Sequence, residues 1–119
     1  MTRDMDLVRE ILLAMDSHEH GYAPQSMQFD GFTDEQIGYH VYIMGQANLL
    51  EVADASSIDG SSPKAIPLSL TWAGHEFLAN AREKSHWLQA KKMMQGAGQG
   101  SFQIWQAVLS KVVMNSLGL

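Results

Sequence analysis

Val8, Ile11, Leu12 and Met15 recur at helical spacing while Arg9, Glu10 and Asp16 lie off that stripe, so the stretch from Asp4 to Ser17 reads as an amphipathic helix. Asp4 and Asp6 suit the positive end of its dipole, and Gly21 with Pro24 stops it from continuing. Met27, Phe29 and Gly31 with Phe32 then alternate with Gln28 and Asp30, a period-two pattern that predicts one brief strand. A second helix is announced by Thr33 at the N-cap, by Gln36 three residues on as its capping-box partner, and by Phe32 placed to staple onto Ile37. Ile37, Val41 and Met44 form its apolar line, Tyr39, Tyr42 and Ile43 widen it, and Asn48 is its terminator. Gly38 and Gly45 share one side of this helix. Glycine inside a helix costs about 1 kcal/mol against alanine, which points to a closely approaching neighbouring backbone as the compensation.

Leu49 to Asp54 reads as a strand, Ala55 to Lys64 as a polar turn and Ala65 to Leu70 as the returning strand, which together predict a β-hairpin. Pro67 cannot donate to a ladder, so the returning strand is expected at an edge or bulged at that residue. Thr71 then caps a helix with Gly74, Phe77, Leu78 and Ala81 inward, and after a break near Ser85 a shorter helix runs from His86 to Met94. Gly96, Gly98 and Gly100 interrupt the chain before Ser101 caps a last helix. Along it Phe102, Trp105, Leu109, Val112 and Ser116 line up, with Ile104 and Val108 beside them. No internal repeat supports a solenoid. The expected fold is mainly α within an α+β class: a winged-helix-like core with a small β-hairpin wing over residues 1–85, and a C-terminal helical extension over residues 86–119 that packs on the same core or on a dimer partner.

The 119 residues are 45% apolar and 18% charged, enough to bury a core and incompatible with wholesale disorder. The absence of cysteine excludes disulfides, thiolate zinc sites and cysteine nucleophiles. The longest apolar run, Ile11 to Met15, falls far short of the roughly 18 to 20 residues that cross a bilayer. No secretory signal precedes the first helix, so a cytoplasmic protein is expected.

Charge is segregated along the chain. Residues 1–70 hold three basic side chains against eleven acidic ones, a net of −8, whereas residues 71–119 hold five against two, a net of +3. A duplex-binding module that neutralises roughly 6 to 10 phosphates needs clustered cations. The helix from Thr33 to Asn48 has none and carries Asp34 and Glu35. Its Tyr39, His40, Tyr42 and Gln46 read as a packed or solvated face; Gln46 or Asn48 has the chemistry to read a base but lacks phosphate anchors. Any nucleic-acid contact is expected instead from Arg82, Lys84, Lys91 and Lys92, with His86 and Trp87 between them for stacking on single strands, and from Lys64 in the hairpin. The same cations also make an ordinary solvated helix face, able to dock on the acidic core or on a second copy.

Several stretches carry a resemblance. Arg3-Asp4-Met5-Asp6-Leu7-Val8-Arg9, Gln36-Ile37-Gly38-Tyr39-His40, Asp59-Gly60-Ser61-Ser62-Pro63 and the run from Leu70 through Trp72 and His75 to Leu78 resemble a family of small bacterial and phage proteins catalogued as domain of unknown function 2513. The resemblance covers nearly the whole chain and brings no catalytic residues with it. Separately, Gln46-Ala47-Asn48-Leu49-Leu50, the hairpin, and then Leu70-Thr71 with Gly74 and Phe77-Leu78 are similar to bacterial winged-helix regulators, from which this chain departs in lacking basic residues on the groove-entering helix.

Motifs for chemistry fail one by one. His18-Glu19-His20 offers two imidazoles and a carboxylate without a third spaced ligand, so no metal is expected. His75-Glu76 begins like a zincin helix, but Ala79 stands where the second histidine belongs. Gly96-Ala97-Gly98-Gln99-Gly100 follows a helix and not a strand, which makes it a flexible linker and not a phosphate cradle. No G-x-S-x-G elbow positions a serine. No cofactor is expected. The wide stripe of Phe102, Trp105, Leu109 and Val112 either completes the core or meets a protein partner, a second copy included. The expected function is a non-catalytic regulatory or adaptor module acting through protein contacts, with a DNA-binding transcriptional regulator as the alternative and an enzyme third.

Overall fold

Asp4 starts the first helix, α1 (Met5–Ser17), by accepting the N–H groups of Asp6 and Leu7 on its carboxylate at 2.9 and 3.2 Å. The computed structural model describes residues 1–95 and 100–119, which divide into two compact units, Met1–His75 and Glu76–Leu119. Among the described residues the protein is α+β, with five helices and one two-stranded antiparallel hairpin. After α1 come α2 (Asp34–Gln46), β1 (Leu50–Asp54), β2 (Ala65–Leu70), α3 (Trp72–Ala81), α4 (Lys84–Met94) and α5 (Phe102–Ser116). The order helix, helix, hairpin, helix is consistent with a winged-helix-like arrangement.

In the first unit, Leu7, Val8, Ile11 and Leu12 of α1 are buried, as are Ile37, Val41 and Met44 of α2. Each fully buried aliphatic side chain of this kind contributes about 1.5–3 kcal/mol. Arg9, expected off the stripe, is buried as well; its guanidinium lies 3.7 Å from Glu10, and the long aliphatic stem lets a cation cover apolar surface. The start of α2 follows the capping box in full: Thr33 Oγ1 accepts the Gln36 N–H at 3.1 Å and Gln36 Oε1 accepts the Thr33 N–H at 2.8 Å. Its end is set by Asn48, which adopts a positive φ of 61°.

The brief strand expected around Met27 to Phe32 does not form. The Phe32 N–H turns back to the Phe29 carbonyl at 3.2 Å, and Gly31 takes φ 86°, a conformation that ends any extended run. It is Tyr22 and Ala23 that meet the hairpin: Ala23 donates to the Leu68 carbonyl at 2.8 Å, and Tyr22 bridges to Ser69.

β1 and β2 pair from Leu50 with Leu70 to Asp54 with Ala65, and the register slips between Glu51 and Val52, so that Leu68 bulges between Pro67 and Ser69. Pro67 itself stays in register opposite Val52, and of the two outcomes expected of it the edge is the one found, since β2 is one of only two strands among the described residues. Gly38 and Gly45 do share the face of α2 that meets the hairpin. What approaches them, though, is side chain and not backbone: Lys64 Cβ at Gly38 and the Val52 methyls at Gly45. The close backbone contact lies at Gly74, against the Leu49 carbonyl, where Thr71 caps α3 by accepting the Gly74 N–H at 3.0 Å.

In the second unit α3 ends at Ala81, and the break falls at Arg82 and Glu83, just before the position near Ser85 that the pattern indicates. Ser101 caps α5 through the Ile104 N–H at 3.1 Å. The Trp87 and Trp105 rings stack 4.8 Å apart, the Phe77 and Phe102 rings lie 4.9 Å apart, and Asn80 donates to Ser110 at 3.4 Å. Of the glycine-rich stretch, Gly96, Ala97, Gly98 and Gln99 lie outside the described residues.

Candidate interaction surfaces

On α2, Asp34, Glu35 and Gln46 are exposed and Tyr39 and Tyr42 are half-buried, but His40, one residue past Tyr39, is only 1% exposed. Its Nδ1 sits 2.8 Å from the Gln36 carbonyl, which can only accept, so that nitrogen carries the hydrogen. Nε2 then accepts the Asp4 N–H at 2.8 Å, tying the start of α1 to the middle of α2. The face read from sequence as one surface is therefore split between a structural histidine and solvated neighbours. His40 falls three residues after Ile37 and four before Met44, the core period, and that spacing is the signal that marks it as buried.

The hairpin tip is acidic. Asp54 accepts the Ser56 N–H at 2.8 Å, and this bond together with one from the Ser56 side chain holds its carboxyl below the usual aspartate range. Asp59 accepts the Ser61 hydroxyl at 2.6 Å and the Ser61 N–H at 3.0 Å, which lower it in the same sense. Lys64 is exposed, and its backbone closes the turn by accepting the Ala55 N–H at 2.9 Å and donating to Ser56 Oγ at 3.0 Å.

In the second unit Arg82, Lys84 and Lys92 are exposed and Lys91 is half-buried. The aromatic expected between them as a stacking platform is taken: Trp87 is 2% exposed and already stacked on Trp105. The α5 stripe is likewise spent within the chain. Trp105, Leu109 and Val112 are buried and Phe102 is half-buried, while Ile104 and Met114 face solvent. His18 is half-buried and His20 exposed, with rings 5.5 Å apart, and among the described residues no group of three histidine or carboxylate side chains is gathered tightly enough to hold a metal ion.

One feature of the first unit has no signature in the sequence. An open cleft of about 520 Å³ lies between the loop 23–28, α2 and β2. Ile37 and Val41 on α2 and Met27 on the loop give it an apolar lining, Gln25, Ser26 and Gln28 are polar, and Asp34 is its charged residue. Its size is that of pockets that hold ligands or short peptide segments. It is closed by β2, which the chain reaches only after the loop, α2, β1 and the hairpin turn, so no local motif foretells it.

Among the described residues no helix is long and apolar enough to cross a membrane. Residues 2–100 match the family described as Hypothetical protein (DUF2513), and the chain belongs to that family. An uncharacterized protein of Haemophilus influenzae is 38% identical over 94 residues, 76% of either chain. No solved structure matches the chain.

Proposed function

We propose that this member of the DUF2513 family is a non-catalytic regulatory or adaptor module of the cytoplasm, working through contacts with protein and not by reading duplex DNA. The observation that carries the reading is the charge of the two elements a winged-helix reader lays on a duplex. α2 opens with Asp34 and Glu35, the hairpin holds Asp54 and Asp59 ionised, and Lys64 is the one lysine or arginine in either element. A groove reader gains affinity by bringing cations to phosphates and releasing counterions; carboxylates in those places oppose it. The partner is another protein or a second copy of the chain. Affinity capture from the native host, with nucleic acid digested in parallel, tests the reading. Recovery of the same protein partner after digestion is expected, and loss of every partner refutes it.

A DNA-binding regulator is the second reading, favoured by the net charge of +3 over residues 71–119 and by exposed Lys84 and Lys92. Lys91→Glu with Lys92→Glu separates the two. Loss of a salt-sensitive oligonucleotide affinity supports nucleic acid, whereas absent or unchanged binding supports protein.

A further inference from the structure

We infer that the cleft beside β2 is a docking groove for an extended, cationic peptide segment of a protein partner, added as a strand to the β2 edge. The inference rests on the protein-binding reading and names what such a module would hold. Register decides where the β2 backbone points. The Ala55 N–H donates to the Lys64 carbonyl at 2.9 Å, so these two form a hydrogen-bonded pair. Alternation along an antiparallel ladder then makes Asp54 with Ala65, and Val52 with Pro67, pairs that do not bond each other. The N–H and C=O of Ala65 and the C=O of Pro67 therefore face away from β1, and Pro67 has no N–H to leave unmet there.

One step further on, the same edge already pairs with a second stretch of chain. The Leu68 carbonyl takes the Ala23 N–H at 2.8 Å and Tyr22 bridges to Ser69. Pairing stops at Pro24, and residues 24–28 line the cleft. Ala65, 7% exposed, is left with no backbone partner on its outer edge among the described residues. Edge N–H and C=O groups that open onto a cleft are a template for an incoming strand, which pairs with them. Three residues of edge at about 3.3 Å each present roughly 10 Å, the span of a short extended segment. Ile37 and Val41 would take its inward apolar side chain, and Asp34 a lysine or arginine. The net charge of −8 over residues 1–70 draws in cationic segments and repels acidic ones.

A positional-scanning library of blocked, fluorescein-labelled hexapeptides, titrated onto the full chain by anisotropy, tests this, with the best sequence followed in amide NMR spectra. Subsets fixed as Lys or Arg should bind about tenfold tighter than those fixed as Glu. The amides of Ala65, Ile66 and residues 25–28 should shift, and N-methylation of alternate peptide amides should abolish binding. Asp34→Asn should weaken binding about fivefold with unchanged thermal melting. The groove is refuted if no subset saturates below millimolar concentration, if Lys and Glu subsets bind alike, if the N-methylated peptide binds as well as its parent, or if the shifts map elsewhere. A captured partner crosslinked to another surface, with the library silent, rejects the groove and leaves the protein-binding reading standing. A silent library with no partner surviving nuclease rejects both.

Discussion

Gly38, Gly45 and Gly74 form a graded test of close approach, because a methyl group added at each meets a different obstacle. At Gly38 the new carbon would stand 3.1 Å from Lys64 Cβ, and at Gly45 2.5 Å from a Val52 methyl. At Gly74 it would run into the Leu49 carbonyl oxygen, which is backbone and cannot rotate away. Alanine in place of an interior helical glycine otherwise gains about 1 kcal/mol, while overpacking costs about 1–3 kcal/mol. Gly38→Ala should therefore be close to neutral, since a shift of a few tenths of an ångström relieves it. Gly45→Ala should lose about 1–2 kcal/mol, and Gly74→Ala about 2 kcal/mol or more. Val52→Ala removes the obstacle at Gly45, so in that background Gly45→Ala should turn from a loss to a gain, a coupling of about 1–3 kcal/mol. Urea unfolding followed by far-ultraviolet circular dichroism gives these differences, with the slope checked for constancy. Gly74→Ala as stable as Gly38→Ala, or Gly45→Ala costing the same with and without Val52, would refute these close contacts.

His40→Phe keeps a ring in the core but takes the acceptor from the Asp4 N–H, which should cost about 1–3 kcal/mol and speed amide exchange at Asp4; wild-type stability and exchange would remove that bond from the account. Trp105→Asp should unfold the second unit, a loss of about 3–5 kcal/mol or more, and a folded variant with altered oligomeric state would return Trp105 to an interface. Asp54 and Asp59 have folded-state pKa values below their unfolded ones. Their ionised forms therefore stabilise the turn fully above the ordinary aspartate value of about 3.9, and that contribution fades as pH falls through the lowered values. Ser61→Ala removes the leading hydrogen bond to Asp59 and should raise its midpoint in carboxyl-carbon NMR titrations, whereas Ser56→Ala keeps the backbone N–H that leads at Asp54 and should move that midpoint less; an unmoved Asp59 midpoint would contradict the hydrogen-bond cause.

Where a local rule fixes local geometry, the residues alone were sufficient. Thr33 with Gln36, Ser101 and Thr71 each cap the helix that they announce, and Pro67 lies on an edge strand, as its missing N–H requires. Local pattern is insufficient where a distant partner decides. The alternation from Met27 to Phe32 is genuine, but a strand needs an edge, and the β2 edge is met by Tyr22 and Ala23 through a bond to Leu68 that no local pattern encodes. His40 reads from the sequence only as part of a packed or solvated face, because a polar side chain breaks the apolar line, although its position keeps the core period and its two nitrogens find Gln36 and Asp4.

The width of the α5 stripe resolves in a way that bears on where a partner binds. Trp105, Leu109 and Val112 are buried, so a second copy would have to open the unit to reach them, giving up several kcal/mol before gaining any contact. The apolar residues left outside on α5, Ile104 and Met114, are ten positions apart in sequence and about 15 Å along a helix. Scattered surface hydrophobics of that kind are ordinary, and the further exposed leucines, Leu117 and Leu119, lie past the end of α5. The first unit differs: there an apolar lining, one carboxylate and an unoccupied stretch of strand edge converge on a single cleft. Association through α5 would thus have to break packing already made, whereas association at β2 would complete pairing left unmade. On that balance a surface substitution lining the cleft, and not one in the α5 stripe, is where partner binding should be lost with folding intact.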